Sequence, residues 1–193
     1  MTRHIDMSDL TDLVVPVEQS KTEKDIRSHI ARVSEKINTI VDLLKKRAKD
    51  HDKSKLQYPE LQGFIRMDKE PRYPYGSPEY FDKMKRYEYV FKHHYMSNSH
   101  HPEHYNNWIC EMDLLDIIEM LCDWTSYREG LTAAEAIATV EQQAKRFDLS
   151  DELSSIMLNT LKRYLVNYDE FDRFMGFKTE DKIDLKALTD FGA

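Results

Sequence analysis

Residues that could bind a metal ion are concentrated in one part of the sequence. Seven of the eight histidines lie between residues 29 and 104, five of them between 93 and 104, and none follows His104. Neutral imidazole nitrogens are common ligands of divalent metals, and carboxylate oxygens often complete such sites. A solvated surface would scatter these residues along the chain, so their clustering favours a shared chemical role.

The adjacent pair His51 and Asp52 offers a nitrogen and a carboxylate oxygen from a single turn of the chain. This donor pair suits a borderline or hard divalent ion, although an isolated aspartate is also a common helix N-cap. His29 lies three residues after Ile26 and four before Val33, which predicts that it sits on the buried stripe of its helix. There it is either a further ligand or a core histidine satisfied by one hydrogen bond.

A histidine-rich segment, FKHHYMSNSHHPEHY, covers residues 91–105. In a helix, His94 and His101 are seven residues apart and share one face, while His93 and His100 share another. The alternative is a solvated polar turn, but the segment is embedded between aromatic and apolar residues. The pattern therefore predicts several histidine ligands without selecting among them.

Carboxylates recur along one side of an otherwise apolar stretch near residue 120. Asp116, Glu119 and Asp123 follow each other at steps of three and four residues. Because a buried carboxylate is costly unless it is paired, this stripe predicts either a metal ion or a Lys or Arg from a neighbouring element.

The elements that must position these residues are predicted to be helices. The chain has 193 residues, of which 33 % are charged and only 5 are glycine, a balance that favours an all-α fold over turn-rich β architectures. Ile26, Ile30, Val33, Ile37, Ile40 or Val41, and Leu44 recur at helical steps. A helix is predicted from Thr22 to near Lys49, and a second short helix opens in KDHDKSKL. Further helices are predicted over 79–97, 108–129, 132–147 and 151–168.

Residues 57–78 are predicted to form a long loop or lid. Pro59, Pro71, Pro74 and Pro78 fall in this range with two glycines and several tyrosines. We expect a lead-in over 1–21, a helical domain over 22–171 and a C-terminal tail over 172–193.

Composition excludes several classes of protein. The net charge of -7 argues against general nucleic-acid binding, which needs a basic face. No apolar run approaches the roughly 20 residues that span a bilayer, and the N-terminus lacks a signal-peptide core. Cys110 and Cys122 are expected to be reduced core residues of a cytoplasmic protein. A homo-oligomer is compatible with the sequence.

The order of these motifs resembles the HD superfamily of metal-dependent phosphohydrolases. HDKSK at 51–55 is similar to the HD-x-G-K core of that family, with Ser54 where glycine is usual. HHPE at 100–103 resembles the His-His-Glu segment of one branch, and LCDWTSYRE at 121–129 resembles the final aspartate helix. The overall pattern also looks like a small, largely uncharacterised family of bacteriophages and bacteria. The resemblance implies an HD-domain-like helical bundle.

The resemblance also implies a centre with one or two divalent ions, for which Mn, Fe, Mg, Zn, Ni and Co remain open. One ion would be held by His29, His51, Asp52 and Asp123. Asp52 would bridge to a second ion held by His94, His100 and His101.

The function implied is hydrolysis of a phosphate ester or anhydride, with a nucleotide or another small phosphorylated substrate. Lys55 and Arg128 would bind the phosphate, and Tyr105 would stack on a base. Two alternatives remain: an HD-like dinuclear-iron oxygenase, and a non-catalytic helical interaction protein that the metal stabilises.

Overall fold

A computed structural model describes residues 21–166 of the chain. Over that range the chain forms seven α-helices and no β-strand, which confirms the predicted all-α class. The helices are α1 (Lys21–Asp50), α2 (Glu60–Lys69), α3 (Pro78–Arg86), α4 (Glu88–Ser97), α5 (Leu114–Trp124), α6 (Ala133–Arg146) and α7 (Asp151–Thr160). None of these helices is both long and apolar enough to cross a membrane. Apart from Lys21, the predicted lead-in and tail lie outside the described residues.

The chain divides into two compact units, Met1–Lys46 and Arg47–Ala193. Within the first unit, α1 is the element that the structure describes, and none of its residues is buried. The predicted burial of its aliphatic stripe is therefore wrong for the described residues. The reason is that the stripe needs a second element to cover it, and periodicity alone does not supply one.

The core of the second unit is formed by α5, α6 and α7. Met120, Leu121 and Trp124 of α5 pack with Val140 of α6 and Met157 of α7. The helix predicted over 132–147 is confirmed as α6, with a reciprocal capping box at its first turn. The Ser150 side chain caps α7, also as predicted, and a π-helical turn over Leu161–Leu165 follows that helix.

The single helix predicted over 108–129 is wrong at its N-terminal end. A 3-10 segment covers Trp108–Glu111, and α5 begins only at Leu114. The Asp113 side chain accepts hydrogen bonds from the backbone of Leu115 and Asp116, so it starts a new helix. As a consequence Cys110 is exposed rather than part of the core.

The loop or lid predicted over 57–78 is wrong for Glu60–Lys69, because these residues form α2. Pro59 stands at the N-cap of this helix, where a proline breaks no helical hydrogen bond. Gly63 lets α2 approach α4 closely, since a Cβ at that position would lie 2.2 Å from the Val90 side chain. The helix predicted over 79–97 is interrupted at Tyr87, which separates α3 from α4.

Candidate metal centre

Six histidine and aspartate side chains converge in the second unit. They form two overlapping groups, in each of which one potential ligand atom per residue lies within 4.8 Å of the others. The first group is Asp52, His94, His100 and His101, and the second is His51, Asp52, His100 and Asp123. Both groups could hold a metal ion, and they share Asp52 and His100.

Asp52 enters the cluster from the turn that follows α1. Its backbone has a φ of 54°, in the left-handed region that aspartate tolerates better than most residues. It stands at the N-cap of the 3-10 segment Lys53–Leu56, but its side chain makes no capping hydrogen bond. The capping alternative is therefore not realised, and the carboxylate faces the histidines.

Two buried atoms at the centre of the cluster fit a metal ion. Asp52 Oδ1 and His100 Nε2 lie 3.5 Å apart, and neither has a hydrogen-bond partner among the described residues. Buried polar atoms without partners are rare because desolvation without a hydrogen bond is costly. A divalent cation would satisfy both atoms, because a carboxylate oxygen and an imidazole nitrogen are both metal ligands.

Two glutamates orient the histidine rings. Glu60, which is fully buried on α2, lies 2.8 Å from His94 Nδ1. On α5, one oxygen of Glu119 lies 2.8 Å from His51 Nδ1 and 3.1 Å from His100 Nδ1. When Nδ1–H donates to a carboxylate, the lone pair is left on Nε2, which is the arrangement typical of metal-binding histidines.

Glu119 is itself held by Arg47, near the end of α1. Arg47 Nε donates to Glu119 at 2.6 Å, and a second nitrogen of the same guanidinium pairs with Asp116. Asp116 also accepts from the Tyr105 hydroxyl at 2.6 Å and from Ser99 at 2.7 Å. The cationic partner that the sequence left open for Asp116 and Glu119 is therefore Arg47.

The electrostatics of the cluster favour neutral His100 and His101 and an ionised Asp52. Burial and the neighbouring His100 and His94 lower the pKa of His101 to about 3. Burial also lowers the pKa of His100 below its ordinary value. For Asp52, burial acts to raise the pKa, but the hydrogen bond and charge of Lys55 outweigh it and the pKa is lowered. Neutral imidazole and carboxylate are the forms that bind metal.

A cleft of about 470 Å³ opens beside the cluster. Lys55, His101 and Asp123 line one part of it, and Tyr127, Arg146 and Phe147 line another. The Arg146 guanidinium lies over the Phe147 ring at 4.6 Å and donates to Glu103 at 3.0 Å. The cleft therefore combines two cations and aromatic surface next to the potential metal ligands.

A family model described as DUF5662, a family of unknown function, matches residues 18–165. The chain belongs to the DUF5662 family. No curated protein and no solved structure matches it. The description of the family assigns no activity, so the resemblance to HD phosphohydrolases stays a prediction.

In the DUF5662 chain, the structure brings together most of the predicted ligands. These are His51, Asp52, His94, His100, His101 and Asp123, with Lys55 bonded to Asp52. Of the other candidates in the histidine-rich segment, His93 contacts Glu60 and His104 contacts the Tyr95 carbonyl. Of the five histidines in this segment, His94, His100 and His101 are therefore the potential metal ligands.

Three predicted site residues of the DUF5662 chain belong neither to the two groups of potential ligands nor to the lining of the cleft. His29 is exposed on α1 in the first unit and is in neither group. Arg128 is exposed and ion-paired with Glu135, because the chain has left α5 before it reaches this residue. The Tyr105 hydroxyl donates to Asp116, so this side chain belongs to the hydrogen-bond network of Arg47 and not to the cleft lining.

Sequence reasoning missed Glu60, Arg47 and Arg146. Glu60 stands in the range predicted as a loop, and Arg47 is one of many cations on α1. Arg146 lies in the last turn of α6, and nothing in the local sequence predicts that its side chain lines a cleft. Glu119 was recognisable only as part of the stripe with Asp123.

Proposed function

We propose that this DUF5662 chain is a metal-dependent phosphohydrolase that acts on a nucleotide or another small phosphorylated substrate. The observation that carries the proposal is the environment of Asp52. One of its oxygens faces the histidines without a hydrogen-bond partner among the described residues, and the other accepts from Lys55. A carboxylate between imidazoles and an ammonium is suited to hold a cation beside a phosphate.

The donor set supports one or two divalent ions. Asp52 has two oxygens and can bridge, whereas His100 has only Nε2 available because Nδ1 contacts Glu119. His100 would therefore bind one ion at a time, and a second ion would rely on the remaining ligands. Mixed nitrogen and oxygen donors fit Mn, Fe, Co, Ni and Zn better than Mg, which prefers oxygen.

When bound, a divalent ion would lower the pKa of water towards neutrality and offset phosphate charge. The ammonium of Lys55 can leave Asp52 and bind a substrate phosphate instead, since it is a point charge on a flexible side chain at the cleft. Arg146 can bind a second anionic group of the substrate at the other part of the cleft. Tyr127 and Phe147 offer the aromatic surface on which a base can stack.

The proposal is tested by metal analysis of the purified protein, followed by phosphate release from a panel of nucleotides with the bound metal. Asp52→Asn is expected to lose both metal and turnover. Asp42→Asn is the matched control and should retain both, because Asp42 is an exposed aspartate of α1 that pairs with Lys45 three residues away. Full turnover by metal-free Asp52→Asn would contradict the proposal.

The same assay separates the two alternative functions. A hydrolase with Mn or Mg turns over without oxygen, whereas a dinuclear-iron oxygenase requires iron and oxygen. A protein that uses the metal only for structure would bind it in the wild type and release no product from any substrate. Structural sites are usually saturated with protein ligands, so the adjoining cleft favours the catalytic alternative.

A further inference from the structure

The aliphatic stripe of α1 follows a strict heptad spacing. Successive members are separated by alternating steps of four and three residues, namely Ile26, Ile30, Val33, Ile37, Ile40 and Leu44. A repeat that averages 3.5 residues is typical of the narrow seam of a coiled coil, rather than of the broader face that packs on a globular core. Arg47, the next position of the repeat, instead bonds to Glu119, so the seam ends at Leu44.

This seam is exposed from Ile26 to Ile40. Five of its members, together with the flanking Val41 and Leu43, have 37 to 60 % of their surface accessible, and no residue of α1 is buried. Long helices in water owe most of their stability to packing of the apolar face. The seam of α1 therefore needs a partner that the described residues do not provide.

The exposed area matches what a stable dimer needs. A half-exposed aliphatic side chain leaves about 50 Å² of apolar surface, so the seven side chains leave roughly 350 Å² per chain. Two copies would bury about 700 Å² of apolar surface. Because homodimer interfaces are about 65 % apolar, the total would reach roughly 1,100 Å², above the ~1,000 Å² expected of a specific interface.

The charges that flank the seam permit pairing with a second copy. In a parallel, in-register pair, His29 faces Ser34 of the second copy, and Lys36 faces Val41 of the second copy. No like charges meet at these positions. In the antiparallel register that aligns all six aliphatic layers, by contrast, Lys36 lies beside Lys36 of the other copy, and like charges at an interface are repulsive.

We infer that α1 forms a parallel, in-register coiled coil with the α1 of a second copy of this chain. Each aliphatic layer then packs on its own equivalent, from Ile26 to Leu44. The pairing is independent of the metal centre, since every residue of the seam belongs to the first unit. It is therefore separate from the proposed hydrolase function.

The mass of the full-length protein in solution tests this inference. Light scattering should give at least twice the 23.0 kDa of one chain. The double variant Ile30→Lys/Ile37→Lys should fall to the mass of one chain. Ala31→Lys/Asn38→Lys adds the same charge one residue away, at exposed positions outside the seam, and should keep the mass of the wild type. Bound metal, measured in parallel, reports that the second unit remains folded in both variants.

A wild-type monomer at all concentrations would overturn the inference and assign the seam to another occupant, such as a segment of this chain outside residues 21–166. An oligomer whose mass is unchanged in Ile30→Lys/Ile37→Lys would overturn it as well.

Disulfide cross-linking tests the orientation without a destabilising charge. In a background of Cys110→Ser and Cys122→Ala, Val33→Cys should form a covalent dimer under mild oxidation, because the two residues 33 face each other in the parallel pair. Ser28→Cys, on the outer side of α1, should cross-link at least tenfold less. Equal cross-linking of the two variants, or none by Val33→Cys, contradicts the parallel register.

Discussion

Nε2 of His100 lies 3.5 Å from Oδ1 of Asp52, and both atoms are buried without a hydrogen-bond partner among the described residues. We expect His100→Ala to lose metal, because both groups of potential ligands include this residue. His29→Ala should bind as much metal as the wild type, since His29 is exposed in the first unit. Metal content after dialysis measures both. Loss of metal in His29→Ala would restore the ligand role that the sequence predicted.

Removal of the charge of Glu119 should weaken metal binding without removing a ligand. The carboxylate faces Nδ1 of both His51 and His100, and such partners are typically worth about 10- to 100-fold in metal affinity. Glu119→Gln should therefore bind the same number of ions at lower affinity in a chelator competition. Glu111→Gln, at an exposed glutamate on the preceding 3-10 segment, is the control. Equal affinity in the two variants would contradict the orienting role.

Asp116 should make stability depend on pH in the acid range. Burial acts to raise its pKa, but hydrogen bonds from Tyr105, Ser99 and Arg47 outweigh this and lower the pKa. A carboxyl with a lowered pKa stabilises the fold above its unfolded value of 3.8 and loses that contribution as the pH falls through the folded pKa. Asp116→Asn should cost about 2 kcal/mol at neutral pH, because it leaves a buried network partly unpaired.

The cost of Asp116→Asn should shrink as the pH falls below the unfolded pKa of 3.8, because the carboxyl of the unfolded wild type then takes up a proton before that of the folded protein. Urea unfolding of metal-free wild type and variant at several pH values gives the difference. A difference that stays constant across this range would mean that the charge of Asp116 does not matter for stability.

Arg146 should contribute to substrate binding, and Arg128 should not. Arg146 lines the cleft beside the cluster, whereas Arg128 is ion-paired with Glu135 on the surface. If the proposed hydrolase activity is found, Arg146→Gln should raise KM by roughly tenfold or more, the typical loss for a hydrogen bond to a charged group. Arg128→Gln should leave steady-state kinetics unchanged. The reverse result would favour Arg128 as the phosphate-binding residue that was predicted from the sequence.

The close approach of α2 and α4 should depend on Gly63. A Cβ there would overlap with the Val90 side chain, and overpacking of this kind costs about 1–3 kcal/mol. Gly63→Ala should therefore lower the free energy of unfolding. The same substitution should cost less in a Val90→Ala background than in the wild type, because the shorter side chain leaves room for the added Cβ. Additive effects of the two substitutions in urea unfolding would contradict direct contact.

The helical class and half of the site could be predicted because they depend on residue type and local spacing. The capping box before α6 is a local signal, and it was confirmed. His51, Asp52 and Asp123 stand out by type, since few other residues can bind a divalent ion. The segment around His94 and His100 predicted ligands but did not say which histidines they are.

Only the tertiary structure decided which carboxylate meets which imidazole. Glu60 reaches His94 because α2 packs against α4, and Glu119 reaches His51 because the end of α1 lies beside α5. The same packing leaves Arg128 outside the site, where it pairs with Glu135. The sequence by itself determined the ligand types and the all-α class. The partners of those ligands were decided by the way the helices pack, because contacts between residues far apart in the chain leave no local pattern.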